Sequence, residues 1–426
     1  MEKRERTYIK DAKKGQIFIE GWIHELRDLA KIKFILLRDI TGVIQCIIKD
    51  EKLFKKFLDL SQESVISIKG DARPAQVKSP EVTQKSIEID IKELDIISKA
   101  EPLPINIHAK DIETGFAKRL DYRFLDFHTP RAQAIFKIQT EIANAFHEYF
   151  YNKGYIEMQP PCIISAASEG GTDLFPVQYF EKKAYLAQSP QLYKQMLACS
   201  MEKVFMITPI WRAEKHNTSR HINEIRQMDI ETAFMDQMQI MKEQELVTQY
   251  IVKKVLEKCK NELEILNVKL KIPKAIYLSY EDAIKKVKGK IGEDFTPEQE
   301  KALCDIYPDS IVFTHSWPTS IKPFYIMPKD ENPSAKESCG FDALYGGIEI
   351  SSGGQRIHLP ELIIERLKAK KLNPKNFKDY IDSFRYGAPP HSGWSIGLER
   401  LTQAICGLNN IKEATMFPRD RDRLTP

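Results

Sequence analysis

Two apolar strands, 204–211 and 227–234, enclose a run of charge that most constrains this chain. In WRAEKHNTSRH, Arg212, Glu214, His216, Arg220 and His221 lie within residues 211–221. Each such group must stay hydrated or find a partner, so the hairpin is costly for folding alone. It makes sense if the loop grips a polyanion, because guanidinium forks match phosphate oxygens bidentately and stay protonated. A later cation stands in Gly397-Leu398-Glu399-Arg400, at the start of a helix. Taken alone, Arg400 reads as a surface ion pair with Glu399 or a near neighbour.

At 426 residues the chain is long for one core and implies two or three domains. Residues 16–98 hold five short strand patterns (QIFIEGWI, KFILLRDI, VIQCIIKD, SVISIKGDA, SIEIDIKELDII) and one helical piece at 51–60. That pattern suits an OB-type β-barrel over 1–104, or a generic β-domain. Pro102, Pro104 and the charged run to Arg123 suit a linker over 105–130. Thr129 and Pro130 read as N-cap and first residue of a helix with the stripe Ile135, Ile138, Ile142, Phe146 and Phe150, stopped at Gly154. A strand, YIEMQPP, then runs into Pro160 and Pro161. Helices follow at 192–200 and 238–266, and the lysine-rich 277–309 reads as a helical, solvated insertion. The strands SIVFTHSW, PFYIMP and ALYGGIEI alternate with helices at 359–370 and 397–406. With neither GxGxxG nor GxxxxGK[ST], the class is α+β: a mostly antiparallel sheet flanked by helices over 131–426, with a helical insertion around 238–310. The 7 cysteines are dispersed with no CxxC, as in a reduced cytoplasmic protein, and the N-terminus has no apolar core of a secretory signal. The net charge of +4 decides nothing about partners.

Asp342 and Glu349 flank Tyr345-Gly346-Gly347 and would present two carboxylates from adjacent strands. Mg2+ accepts few carboxylates and completes its shell with phosphate oxygens and water. A polar strand edge is the plain alternative.

The charged hairpin, the strand GIEISSGGQR and the Gly397–Arg400 element, in this order, resemble motif 2, the metal strand and motif 3 of class II aminoacyl-tRNA synthetases. With SEGGTDLF, QSPQLYKQ and FPRDRDRLTP, the chain is similar along essentially its whole length to aspartyl-tRNA synthetases of the archaeal and eukaryotic kind. Trp211 stands where those enzymes usually have Phe, and Ala343 where they often have an acid.

The resemblance implies that ATP meets Arg212, Ala213, Glu214, Arg220, His221, Ile222, Glu349, Gly397, Leu398, Glu399 and Arg400, with Arg212, Glu214 and Arg400 catalytic. Mg2+ would take Asp342, Glu349 and Ser352, although simple alternation groups Ser351 with Glu349, so the strand has to bend at 352–354. Aspartate would meet Glu169, Gln191, Leu192, Tyr193, Lys194, Arg212, Asp229, Ser352 and Arg356. Lys194 and Arg356 over one small cavity suit a side-chain carboxylate, and Glu169 and Asp229 suit an α-ammonium. Gly170 and Gly171 would let their loop close over substrate.

The 130–161 region resembles motif 1 and implies a homodimer with Pro161 at its interface. In the barrel, Phe34 would stack on an anticodon base of tRNA(Asp), Gln45 would bond its edge and Arg27 would hold phosphate or base. A core role is the plain reading of Phe34. His24 implies charging of tRNA(Asn) as well; a strand-surface residue is its plain reading. Two rivals remain at this stage: an asparaginyl-tRNA synthetase and a non-catalytic tRNA-binding paralogue.

Overall fold

The computed structural model describes residues 5–29, 31–108, 114–165 and 174–426. The chain divides into two compact units, Met1–Tyr122 and Arg123–Pro426.

In the first unit β1 (Gly15–Leu29), β2 (Ile32–Asp39), β3 (Gly42–Ile48), β4 (Val65–Pro74) and β5 (Ile87–Ser98) close into a barrel of order β1-β2-β3-β5-β4. Period-two alternation sends Ile19, Ile23, Ile35, Leu37, Ile44, Cys46, Ile66 and Ile68 into a fully buried interior. On β1 the pairing slips between Ile23 and Glu25, which leaves His24 as an extra, bulged residue. Within the expected linker stand helices at Phe116–Asp121 and, at the start of the second unit, Arg123–Asp126.

The described residues of the second unit hold eleven further strands: β6 (Ile156–Glu157), β7 (Ile163–Ile164), β8 (Pro176–Tyr179), β9 (Lys182–Leu186), β10 (Lys203–Trp211), β11 (Glu224–Ala233), β12 (Lys274–Ser279), β13 (Ser310–His315), β14 (Gly340–Tyr345), β15 (Ile348–Gln355) and β16 (His391–Gly397). Eight form one sheet of order β12-β13-β14-β15-β16-β11-β10-β6, and β7-β9-β8 form a small second one. The large sheet is antiparallel except at its two ends, β12 with β13 and β10 with β6. Helices Pro130–Asn152, Gln237–Lys258 and Leu398–Cys406 join it in one core. Phe146, Phe150, Phe205 and Trp394 meet there with ring centroids 4.9–6.3 Å apart, Phe146 edge to face with Phe150 and Trp394 and the other pairs tilted. Thr129 caps the first of these helices by accepting from the Ala132 N–H, with Pro130 at its first position.

Three expectations are corrected. The 238–266 helix breaks at Cys259 into Gln237–Lys258 and Lys260–Ile265. PFYIMP forms no strand: prolines at 323 and 328 withhold ladder donors, and only isolated bridges at Ile326 and Pro328 remain. The 277–309 segment is no solvated appendage. Most of β12 and helices Tyr280–Lys286 and Pro297–Ile306 lie in or next to it, and Ala283, Leu303 and Cys304 are buried against Val312 and Leu344.

Arg123 ties the start of this unit to its end. Its side chain, 2% exposed, donates to the carbonyls of Met416, Glu413 and Thr415 and pairs with buried Asp126. Arg123→Ala takes a buried cation from Asp126 and a donor from three carbonyls, so denaturant unfolding of the second unit is expected to lose about 3–5 kcal/mol. A loss below about 1 kcal/mol would show the clamp to be dispensable.

Candidate active site

A cavity of about 310 Å³ opens on one face of the large sheet, where β11, β16 and β15 run side by side and the loop after β10 folds over them. Arg212, Glu214, Arg220, His221 and Ile222 line it from the loop; Gln227 and Asp229 from β11; Glu349, Ser351 and Ser352 from β15; Arg356 just beyond β15; and Ser395, Gly397 and Arg400 from β16 and the helix that follows. Asn223 holds the loop closed. Its amide nitrogen donates to the carbonyls of Arg212 (2.7 Å) and Glu214 (3.1 Å), and its backbone N–H donates to Arg419 at 2.7 Å.

Among the described residues, Arg212 Nε, Gln227 Oε1 and Ser351 Oγ are buried without a hydrogen-bond partner, and all three residues line this cavity. A folded chain rarely leaves such atoms unmatched, so a donor, an acceptor and a hydroxyl converging on one space mark it for a polar ligand.

The floor is a buried charge network. Lys194 donates to Asp229 at 2.6 Å and lies 3.6 Å from Glu231, while Arg356 takes both oxygens of Glu231 at 2.9 and 3.3 Å. Ser395 donates to the other Asp229 oxygen at 3.1 Å. Two cations thus face two carboxylates, and burial pushes the Asp229 carboxyl up against the pull of Lys194.

At the opposite end the cavity is acidic. β15 carries an extra residue, Ile350, because its pairing with β14 slips between Ser351 opposite Ala343 and Glu349 opposite Leu344. This bulge, one turn earlier than the bend expected at 352–354, resets the alternation, so Glu349 and Ser352 both reach the cavity. Burial, and then Asp342 nearby, push the Glu349 carboxyl up to about 7. Arg400 donates to the Glu349 carbonyl at 2.8 Å, with its guanidinium 3.7 Å from the carboxylate. Burial lowers the His221 imidazole, whose Nδ1 shares a hydrogen bond with Thr218 Oγ1 at 2.7 Å.

Several expected residues stand elsewhere. Lys194 is drawn beneath the floor by its two carboxylates and is not on the cavity wall. Leu192 and Tyr193 follow the helix face turned to other apolar clusters, and of this segment Ser189 and Gln191 reach the cavity. Asp342 sits opposite Ser352 in register but is held by Lys322 and does not line the wall. Ala213, Leu398 and Glu399 are likewise off the wall; Leu398 packs in the core and Glu399 accepts the Arg226 N–H through both oxygens at 3.1 Å. Glu169, Gly170 and Gly171 lie outside the described residues.

Sequence reasoning missed Glu231, Gln227, Ser395 and Glu300. The first three continue strands whose alternation with Asp229 and Gly397 would have exposed them. Glu300 had no such signal.

In the barrel, Phe34 is half-buried on β2 and Arg27 is engaged by Glu25 at 2.6 and 2.8 Å. Gln45 donates to Glu88 at 3.2 Å, and the half-buried His24 ring lies 3.2 Å from Glu81. Pro161 is exposed.

Residues 116–421 match the family model described as tRNA synthetases class II (D, K and N), and 17–97 match an OB-fold nucleic acid binding domain. An aspartate–tRNA(Asp/Asn) ligase of Archaeoglobus fulgidus is 42% identical over 99% of this chain and 100% of its own. An aspartate–tRNA(Asp) ligase of Thermoplasma acidophilum is 38% identical, again over 99% and 100%. Among solved structures, the asparaginyl-tRNA synthetase of Pyrococcus horikoshii with asparaginyl-adenylate superposes with a TM-score of 0.93 at 31% identity, over 99% of this chain and 100% of that one. An aspartyl-tRNA synthetase of Entamoeba histolytica gives 0.88 at 30%, over 99% and 93%.

Burial raises the Glu399 carboxyl to about 7, so the folded state binds this proton more tightly than the unfolded chain. Its stabilising share is present at low pH and fades as pH climbs from the ordinary carboxylate range through 7. Glu399→Gln, which cannot ionise, is therefore expected to gain on the parent between pH 5 and pH 8, by about 3 kcal/mol at most. Thermal melts of both proteins across that range check the sign; a gap that stays flat or reverses refutes it.

Proposed function

Since this chain belongs to the class II tRNA synthetases of the D, K and N type and carries an OB-fold nucleic-acid-binding domain, we infer that it is an aspartate–tRNA ligase. It activates L-aspartate with ATP and transfers the aspartyl group to the 3′ end of tRNA(Asp), and to tRNA(Asn) as well. The single observation that carries the reading is the buried, unmatched Arg212 Nε on a cavity walled by Arg220, Arg356 and Arg400.

In the first step an aspartate α-carboxylate oxygen bonds to the α-phosphorus, the bond from that phosphorus to the bridging oxygen breaks, and pyrophosphate leaves. Two anions must meet, so neutralisation and alignment dominate the barrier. Arg212 faces both reactants. Arg220, His221 and Arg400 receive the triphosphate tail, and Glu214 takes the adenine amine or steadies Arg212. Glu349 and Ser352, with Asp342 shared with Lys322, suit Mg2+, which takes few protein carboxylates and fills its shell with phosphate oxygens and water; Lys322 and Arg400 already offset part of the carboxylate charge. When bound, the ion offsets charge on the departing pyrophosphate. In the second step a ribose hydroxyl of the tRNA terminus attacks the aspartyl carbonyl and AMP leaves. No protein group is assigned as general base.

For substrate choice, Asp229 and Gln191 sit at the wall for the α-ammonium, and Arg356 for the side-chain carboxylate. Lys194 acts from below through Asp229 and Glu231. Glu169, outside the described residues, is proposed to complete the set. The partner is tRNA, read in the barrel by Phe34, Gln45, Arg27 and His24. The names of the Archaeoglobus fulgidus and Methanocaldococcus jannaschii relatives, ligases for tRNA(Asp/Asn), support the wider choice that His24 suggested, while the Thermoplasma acidophilum relative is named for tRNA(Asp) alone. A homodimer would form at the open edge beside β6, where Ile156, Ile163 and Pro161 are exposed. The compartment proposed is the cytoplasm; among the described residues no helix is long and apolar enough to cross a membrane.

Pyrophosphate exchange with aspartate, and none with asparagine, is expected; exchange with asparagine alone would replace this reading with the asparaginyl one, and no exchange with the non-catalytic one. Lys194→Leu leaves the buried Asp229 carboxylate without its cation, while Glu231 keeps Arg356, and is expected to lower aspartate-dependent exchange by about a hundredfold or more; a loss under threefold would oppose the role given to Lys194. Phe34→Ala is expected to raise the KM for tRNA about tenfold, the worth of one stacked base, with exchange unchanged. Equal loss in both assays would remove Phe34 from the tRNA surface.

A further inference from the structure

One carboxylate from the lysine-rich segment bridges the two elements that flank the acidic end of the cavity. Glu300, near the start of helix Pro297–Ile306, accepts from Arg220 Nη1 at 2.8 Å and from the backbone N–H of Glu349 at 3.2 Å, both through Oε2. The other terminal nitrogen of Arg220 donates to the carbonyls of Pro297 (3.3 Å) and Gly347 (3.2 Å). Arg220 is thereby fixed by the insertion helix and by the β14–β15 turn, although it stems from the hairpin loop. Held this way its guanidinium still lines the main cavity, whereas Glu300 does not. A second hollow of about 220 Å³ lies behind, walled by Arg220, His221, Arg400, Glu349, Glu300 and Phe295.

We propose that Glu300 is a positioning residue for the nucleotide: by binding Arg220 and the Glu349 backbone at once, it holds the hairpin arginine and the metal strand at the spacing the triphosphate tail requires. The inference rests on the reading of the cavity as an ATP site. A free arginine side chain carries about 2 kcal/mol of rotamer entropy, which ATP would otherwise have to immobilise on binding. Glu300 pre-orders that side chain, and its anchor on β15 keeps the carboxylate of Glu349 from drifting relative to it. The same contact makes the insertion helix part of the ATP site, although nothing of it touches the amino-acid end.

The test is direct titration of Mg·ATP into the full-length protein by calorimetry, together with aspartate-dependent pyrophosphate exchange, for the parent, Glu300→Gln, Glu300→Ala, Arg220→Met and the double variant. Glu300→Ala is expected to weaken ATP binding about tenfold and raise the ATP KM in step, with the aspartate KM and kcat within twofold. Glu300→Gln, which keeps one acceptor, should fall between it and the parent. If Glu300 acts through Arg220, adding Glu300→Ala to Arg220→Met costs little more, whereas a merely structural role gives additive losses. Unchanged ATP affinity in both Glu300 variants, additive losses, or tighter binding in Glu300→Ala would each overturn the proposal, the last by making Glu300 a restraint that ATP must displace. Glu300-dependent ATP binding without aspartate-dependent exchange would sink the aspartate reading and leave this one standing; no ATP binding by the parent would sink both.

Discussion

The fully buried carboxylate of Glu231 holds the catalytic unit's centre in place. It sits near the end of β11, takes a two-pronged bond from Arg356 beyond the end of β15, and lies 3.6 Å from Lys194 on the helix Gln191–Met201. Three elements distant in sequence therefore share one charge balance, and removing any member would leave a desolvated ion behind. Room for it comes from Gly393, its partner on β16: a Cβ there would fall 2.2 Å from Glu231 Oε2. A side chain at 393 and a carboxylate at 231 exclude one another.

This arrangement recasts how the pocket would read its amino acid. Lys194 and Arg356 are not two bare cations waiting for an anion, since Asp229 and Glu231 already balance them. Under the reading proposed above, an incoming zwitterion with an extra carboxylate would enter a floor of near-zero net charge, and selectivity would then depend on how the fixed dipoles and the fork of Arg356 redistribute around it. The stiffness of such a network favours a fixed geometry over a strong field.

The barrel, the long capped helix and the charged hairpin were legible in the sequence because each rests on short-range rules: period two, an N-cap with proline, and the clustering of Arg212, Arg220 and His221. The pairing of β15 with β14 was legible only in part. Alternation located Glu349, but the extra residue that brings Ser352 to the same wall depends on register, which no local pattern encodes. Lys194 lies beneath the cavity and not on its wall, and that retreat depends on Glu231, a residue that looks like any other strand carboxylate. The segment 277–309 misled because its lysines face water while Ala283, Leu303 and Glu300, spread among them, face inward. PFYIMP misled for the opposite reason, its apolar run being broken by two prolines.

Because Ile350 is the supernumerary residue of β15, it alone separates this strand from a regular ladder: Glu349 and Ser352 stand three places apart yet reach one cavity, and without Ile350 they would stand two places apart on one face. The bulge therefore offsets the later residues along the strand axis without turning them over, so a shortened strand would bring Ser352 nearer the acidic end by roughly the 3.3 Å rise of one residue. Gly353 and Gly354 add a constraint of shape, since a Cβ at either would fall 2.6 Å from Phe341 or from the Cys339 carbonyl oxygen.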